Sequence, residues 1–266
     1  MMKGFILSFR SEFYKTRKTL GFWGAIILPV LISLLAFVAV YTKSDKFVNT
    51  PPMMLWVQLS MISLGSMGSL LLPIYTIFVA YSVNNVEHKA DTWKTLFSLP
   101  LSRWAVYGAK YFYALFLLFL CLALFVIFNI AFGNLLGALK PELKFGEYHM
   151  ELELVQVYYK LFLSALGILS IQFLLSLLWA DFLKPMGLGF VATITGVILA
   201  SNNWEYSYLF PYAHPMGAVR SMIKNNKGPA NHLEINIYTH EVYVSLIVAV
   251  VVFVAGYYIV QRRSIK

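Results

Sequence analysis

Residues 20–42 read LGFWGAIILPVLISLLAFVAVYT, a run of 23 residues with no charge. A bilayer core about 30 Å thick is crossed by a helix of about 20 mainly apolar residues. This run is long enough to span. It outruns a secretory h-region, and no clear small-x-small cleavage site follows, so it reads as a retained anchor. Working outward, five more stretches follow. They are Leu55–Ser82, uncharged, with Pro73 as a kink point; Trp104–Leu136, entered past Lys110; Leu161–Trp179; Met186–Trp204, glycine-rich and short; and Val242–Val260, dense in valine. Barrel strands are short and alternating; these runs are long and continuous. The expected fold is all-α: one polytopic membrane domain, residues 1–266, with six transmembrane helices at about 20–42, 55–82, 104–136, 161–179, 186–204 and 242–260.

Composition points the same way. The chain is 59% hydrophobic and 12% charged, where soluble domains run about 45–50% and about 25%. Soluble, disordered and coiled-coil classes are excluded. The single cysteine, Cys121, rules out an internal disulfide and a cysteine-cluster metal site. Six spans place both termini on one side. Thirteen Lys and Arg fall on that side, in 1–19, 83–110, at Lys184 and in the tail; seven fall opposite, with Lys160 at a boundary. The basic excess marks the cytoplasmic face, so both termini are expected there, in contact with anionic lipid. The basic residues are scattered and form no nucleic-acid footprint.

Two polar segments flank the early spans. Met1–Thr19 carries Phe5, Phe9 and Phe13 at spacing four, with Lys3, Arg10, Tyr14 and Lys18 mostly elsewhere on the wheel. It reads as an amphipathic helix in the headgroup plane; a plain basic topogenic flank fits the same residues. Asn84–Arg103 is too polar to cross. Val86, Ala90, Trp93 and Phe97 form one helical stripe at i, i+4, i+7 and i+11. Glu87, Asp91 and Lys94 take other faces, with Asp91–Lys94 an i, i+3 pair. Pro100 stops the helix, and Ser102 is placed to cap the next. A helix lying on the membrane, a tight break and a re-entry are expected. Such a helix can take a push from a soluble partner; a surface helix without a partner fits the pattern equally.

The run Glu87-His-Lys-Ala-Asp-Thr-Trp-Lys-Thr-Leu-Phe-Ser-Leu-Pro-Leu-Ser-Arg103, followed by Lys110, resembles the signature of type-2 ATP-binding-cassette (ABC) exporter permeases. There a glutamate precedes a Gly/Thr pair, a basic residue, a leucine and a Pro-aliphatic-Ser-Arg exit. Glu87, Thr92, Lys94, Leu96, Pro100, Ser102 and Arg103 match by type and spacing, and Asp91 stands where glycine is usual. Ser11-Glu12-Phe-Tyr-Lys15 resembles the family's N-terminal Ser-Glu-x-x-Lys. The most similar subgroup is the single-domain bacterial permeases, including those conferring immunity to lantibiotic-type peptides and bacteriocins. The resemblance implies a multi-pass protein of the bacterial inner membrane. It pairs with a second permease copy or a paralogue, beneath two ABC ATPase subunits that hold ATP and Mg. Segment 84–103 would be the coupling helix. Glu87, Asp91, Thr92 and Lys94 would orient it or touch the ATPase, Trp93 and Phe97 would pack it, and Pro100 and Arg103 would fix its exit.

No Gly-x-x-x-x-Gly-Lys-[Ser/Thr] occurs, so this chain is expected to bind no nucleotide cofactor itself. Gly187-Leu-Gly189-Phe-Val-Ala192 sits in an apolar span with no preceding strand and reads as packing. The spans are expected to hold no buried acid or base, which weighs against an ion-coupled secondary carrier, although sodium sites can use carbonyls alone. That carrier and a non-transporting assembly or anchoring subunit are the alternatives. Gln58, Asn129 and Gln172 are expected to bond between helices, and Gly65 and Ser69 to seat another helix closely.

Two segments, 133–157 and 201–240, are expected outside. Trp204, Tyr206, Tyr208, Phe210 and Tyr212 form an aromatic cluster suited to headgroup level, and Met216–Ile223 could make a short surface helix. By the resemblance this region is a re-entrant or capping element over the exit. His149, His214, His232 and His240, with Glu151 and Glu241, make no His-Glu-x-x-His pattern, and no Gly-x-Ser-x-Gly is present. Neither a metal site nor an enzyme is expected. The reading is the membrane subunit of an ATP-driven exporter for a hydrophobic or amphipathic substrate, an antimicrobial peptide being the first candidate.

Overall fold

The computed structural model describes residues 2–90, 92–93, 100–225 and 235–262. Among these the chain is all-helical, and six helices are long and apolar enough to cross a membrane. The helices are α1 (Met2–Thr16), α2 (Leu20–Thr42), α3 (Pro52–Ser66), α4 (Leu72–Ala90), α5 (Arg103–Leu139), α6 (Glu151–Leu178), α7 (Leu183–Ser201), α8 (His214–Asn225) and α9 (His240–Arg262). The protein is a multi-pass membrane protein.

The first span agrees with the sequence reading to the residue, because Thr19 caps it; its hydroxyl accepts from Phe22 N–H. The second does not. One five-residue π turn, Met67–Leu71, joins α3 to α4, so Pro52–Ala90 is a single span of 39 residues. Its cause is local. Pro73 has no N–H to give the carbonyl four residues back, and its ring crowds that carbonyl. A wider turn just before it, closed by Leu72 N–H on Met67 O, absorbs the mismatch. The surface helix expected from Asn84 is therefore, as far as Ala90, the end of the second span.

Packing is inside-out relative to a soluble bundle. α2 turns Gly21, Ala25, Pro29, Ser33 and Ala36 inward and exposes Trp23, Ile27, Leu31 and Leu35. α7 does the same with Pro185, Gly189, Thr193, Gly196 and Ala200 inside. Lipid tails solvate large apolar side chains as well as other helices do, so small residues go where backbones must meet. α6 lies at the centre: 67% of its apolar window is buried, against 22% for α9. Ser245 of α9 donates to Leu163 O or Ser164 O of α6 and accepts from Gly167 N–H, locking that pair. Asn129 bonds Ser63 and Tyr158 and thereby joins the second, third and fourth spans. A Cβ added at Gly65 would meet nothing within 4 Å, so no other helix among the described residues seats closely on it.

α1 packs on the start of α5 through Phe5 against Phe112 and Phe9 against Tyr113 and Phe116; Phe13 meets Tyr14 and Phe22. Arg103 of α5 reaches the last carbonyls of α9. α1 and the end of α9 thus share one end of the bundle, here called the basal end. At the distal end, Trp56 Nε1–H donates to Phe145 O at 3.0 Å, which folds the 141–147 turns onto α3.

The distal segment after α7 turns back into the bundle. A Cβ on Gly196 would lie 2.5 Å from the Tyr212 backbone, and one on Gly68 would lie 2.6 Å from Val219. Gly68 stands about 24 Å along the helix from Pro52 at 1.5 Å per residue. Tyr212, expected at headgroup level, is buried and bonded by Gln172 at 2.6 Å. α8 is expected on the surface; instead Ala218 and Val219 are buried, because Gly68 leaves room for Val219 and Gly196 for the Tyr212–Ala213 turn that leads into it. Arg220 caps α7 by donating to Ala200 O and Ser201 O.

Candidate functional site

The basal end carries a cluster of four charges. Lys110 of α5 donates to Glu12 Oε2 of α1 at 2.9 Å, to Glu87 Oε2 of α4 at 2.5 Å and to Val83 O at 3.0 Å. Lys15 completes the ring, 3.0 Å from Glu87 Oε1 and 3.4 Å from Glu12 Oε1. Glu12, Glu87 and Lys110 are 2%, 1% and 1% exposed. An ammonium has three donors, and all three of Lys110 are used. Two acids and two bases cancel, which is what allows them inside an apolar bundle. Burial works against the Lys15 charge, but Glu12 and Glu87 outweigh it and hold its ammonium above the usual lysine range.

This overturns the expectation that the spans hold no buried acid or base. Glu87 and Lys110 lie in the second and third, and Lys160 is buried in the fourth. Sequence reasoning gave no role to Glu12, Lys15 or Lys110. The signal was there: a lysine inside an apolar run requires a partner, and Glu12 and Lys15 share a helix face at i, i+3.

The cluster roots one side of the segment expected to couple. Thr92 N–H returns to Glu87 O at 3.1 Å and ends α4. Trp93 Nε1–H donates to His88 Nδ1 at 3.1 Å, so the other ring nitrogen carries the proton and donates to Ser176 O of α6 at 3.0 Å. The Lys110 ammonium stands 5.7 Å from the Trp93 ring centre, within cation–π range. Asn84 adds a bond to Ser176 Oγ at 2.8 Å. The far side of the segment is held as well. Pro100 is exposed at a bend, Ser102 Oγ accepts from Ala105 N–H to cap α5, and Arg103 donates to Gln261 O at 2.8 Å and Val260 O at 3.3 Å. Arg103 is thereby engaged with the negative end of the α9 dipole. Asp91, Lys94 and Phe97 lie outside the described residues.

Of the residues singled out for coupling, the structure brings Glu87, Trp93 and Arg103 onto different helix ends around one segment. The side chains of Glu87 and Arg103 face the chain's own helices. This arrangement ties the described residues on either side, Thr92–Trp93 and Ser102–Arg103, to α4, α5, α6 and α9.

A family model described as ABC-2 family transporter protein matches residues 8–196, more than half of the chain. The chain belongs to this ABC-2 transporter family. Comparison with curated proteins and with solved structures gave no match. As an ABC-2 family protein, the chain is a transporter membrane component, and the family implies an ABC ATPase as partner.

Proposed function

We propose that this ABC-2 family chain is the membrane-spanning permease of an ATP-driven exporter, moved by a separate ATPase that bears on residues 91–102. The supporting observation is the way that link is rooted at both sides: His88, Trp93 and the Lys110 cluster before it, Ser102 and Arg103 after it. A push there reaches the second, third, fourth and sixth spans, whose ends these contacts join. Both termini face the cytoplasm of a bacterial inner membrane in this reading, with a second copy or a paralogue completing the pathway. The cargo is hydrophobic or amphipathic, an antimicrobial peptide in the subgroup the sequence resembles.

The buried charges do not favour an ion-coupled carrier. Glu12, Lys15, Glu87 and Lys110 sit at the basal end and satisfy one another, whereas coupling sites lie along a path near the midplane. Pull-down of the chain from its own cells should bring down an ABC ATPase. ATP turnover by that complex should collapse with Trp93→Ala plus Phe97→Ala. Full transport by the purified chain alone on an ion gradient ends this reading.

A further inference from the structure

A cavity of about 410 Å³ opens at the basal end between the α1–α2 joint, α4 and the link before α7. Its size falls within the roughly 300–1,000 Å³ of small-molecule sites. Two lysines line it, Lys18 and Lys89, both exposed. Neither forms an ion pair among the described residues, in contrast to Lys15 and Lys110 nearby. Deeper, Tyr81 donates to Asn85 Oδ1 at 2.8 Å. That leaves the two N–H donors of Asn85 without a partner among the described residues. The remaining wall is apolar, with Leu20, Phe78 and Phe182. The nearest acid on the α6–α7 link, Asp181, already accepts from Leu183 N–H at 3.0 Å.

We propose that this cavity binds the phosphate headgroup of an anionic phospholipid in the leaflet at the basal end. Two cations and an amide donor suit phosphate oxygens, for which charge-assisted bonds are the strong kind. Basic pockets between membrane helices take anionic headgroups for the same reason. The apolar wall then meets the glycerol and the first acyl carbons, which a free phosphate lacks. The level fits too: Leu20 is where the chain enters its first span, and Lys89 is one residue from the end of α4. The proposal does not depend on coupling to an ATPase, and the two fail separately.

The test uses the full chain in phosphatidylcholine vesicles doped with fluorescent phosphatidylglycerol. Lys18→Gln with Lys89→Gln should weaken retention of that lipid by about fivefold for each lysine removed. The control pair Lys43→Gln with Lys46→Gln, outside the cavity, removes equal charge and should change nothing. Millimolar inorganic phosphate should not displace the lipid. The proposal is overturned if the cavity pair retains lipid like the parent chain, or if the control pair loses as much. Displacement by inorganic phosphate assigns the cavity to a free anion and overturns the lipid as well.

Discussion

Lys110 has three donors and three acceptors, and no water is needed to complete it. Removing it strands two carboxylates with Lys15 alone, which is a third exposed. Breaking a buried pair on one side costs on the order of 3–5 kcal/mol. Lys110→Met should therefore lower the apparent Tm of the detergent-purified protein sharply. Lys110→Met with Glu87→Leu leaves Glu12 and Lys15 as a neutral pair and should recover part of that loss. A double variant that melts below both single variants would show that the cluster is not a balanced unit. The Lys15 contribution has a definite sign with pH. Its ammonium is held above 10.5 in the fold, so its stabilisation is complete below that value and is lost only as pH rises through the raised one. Melting should show no step from Lys15 across neutral pH.

At the scale of elements, the distal fold-back depends on glycines that let backbones touch. Gly196→Ala puts a methyl 2.5 Å from the Tyr212 carbonyl and should cost about 1–3 kcal/mol, as overpacking does. Gly65→Ala enters open space and should be neutral or stabilise by up to about 1 kcal/mol through helix propensity. Equal melting of the two variants would remove the fold-back from the stable core. The rule behind this is the one that turns α2 and α7 inside-out: a membrane leaves close backbone contact, not apolarity, as the thing to be specified. The same rule explains why Tyr212 and α8 were expected at the surface. Aromatic and polar residues in a loop look interfacial until the glycines opposite them are known.

For the whole molecule the arrangement is a central α6 wrapped by thinner contacts, with α1 and the end of α9 both placed at the basal end by α5. Cys121 is buried, so introduced cysteines report cleanly. Lys18→Cys should react with an impermeant maleimide only from the inside of intact cells, and Lys46→Cys only from the outside. The reverse pattern inverts the proposed orientation. Arg103→Ala frees the last carbonyls of α9 and should make the tail more susceptible to protease while leaving the spans intact. Unchanged cleavage would mean that Arg103 does not hold that end.

The amino-acid order alone determined the six apolar helices long enough to cross and the all-helical class, because length and apolarity act within one segment. The long span Pro52–Ala90, the ring of Glu12, Lys15, Glu87 and Lys110, and the inward turn of α8 were decided only by the tertiary structure. Each depends on residues far apart in sequence. A lysine in an apolar run states that it needs partners, but which carboxylates answer is set by how α1, α4 and α5 converge.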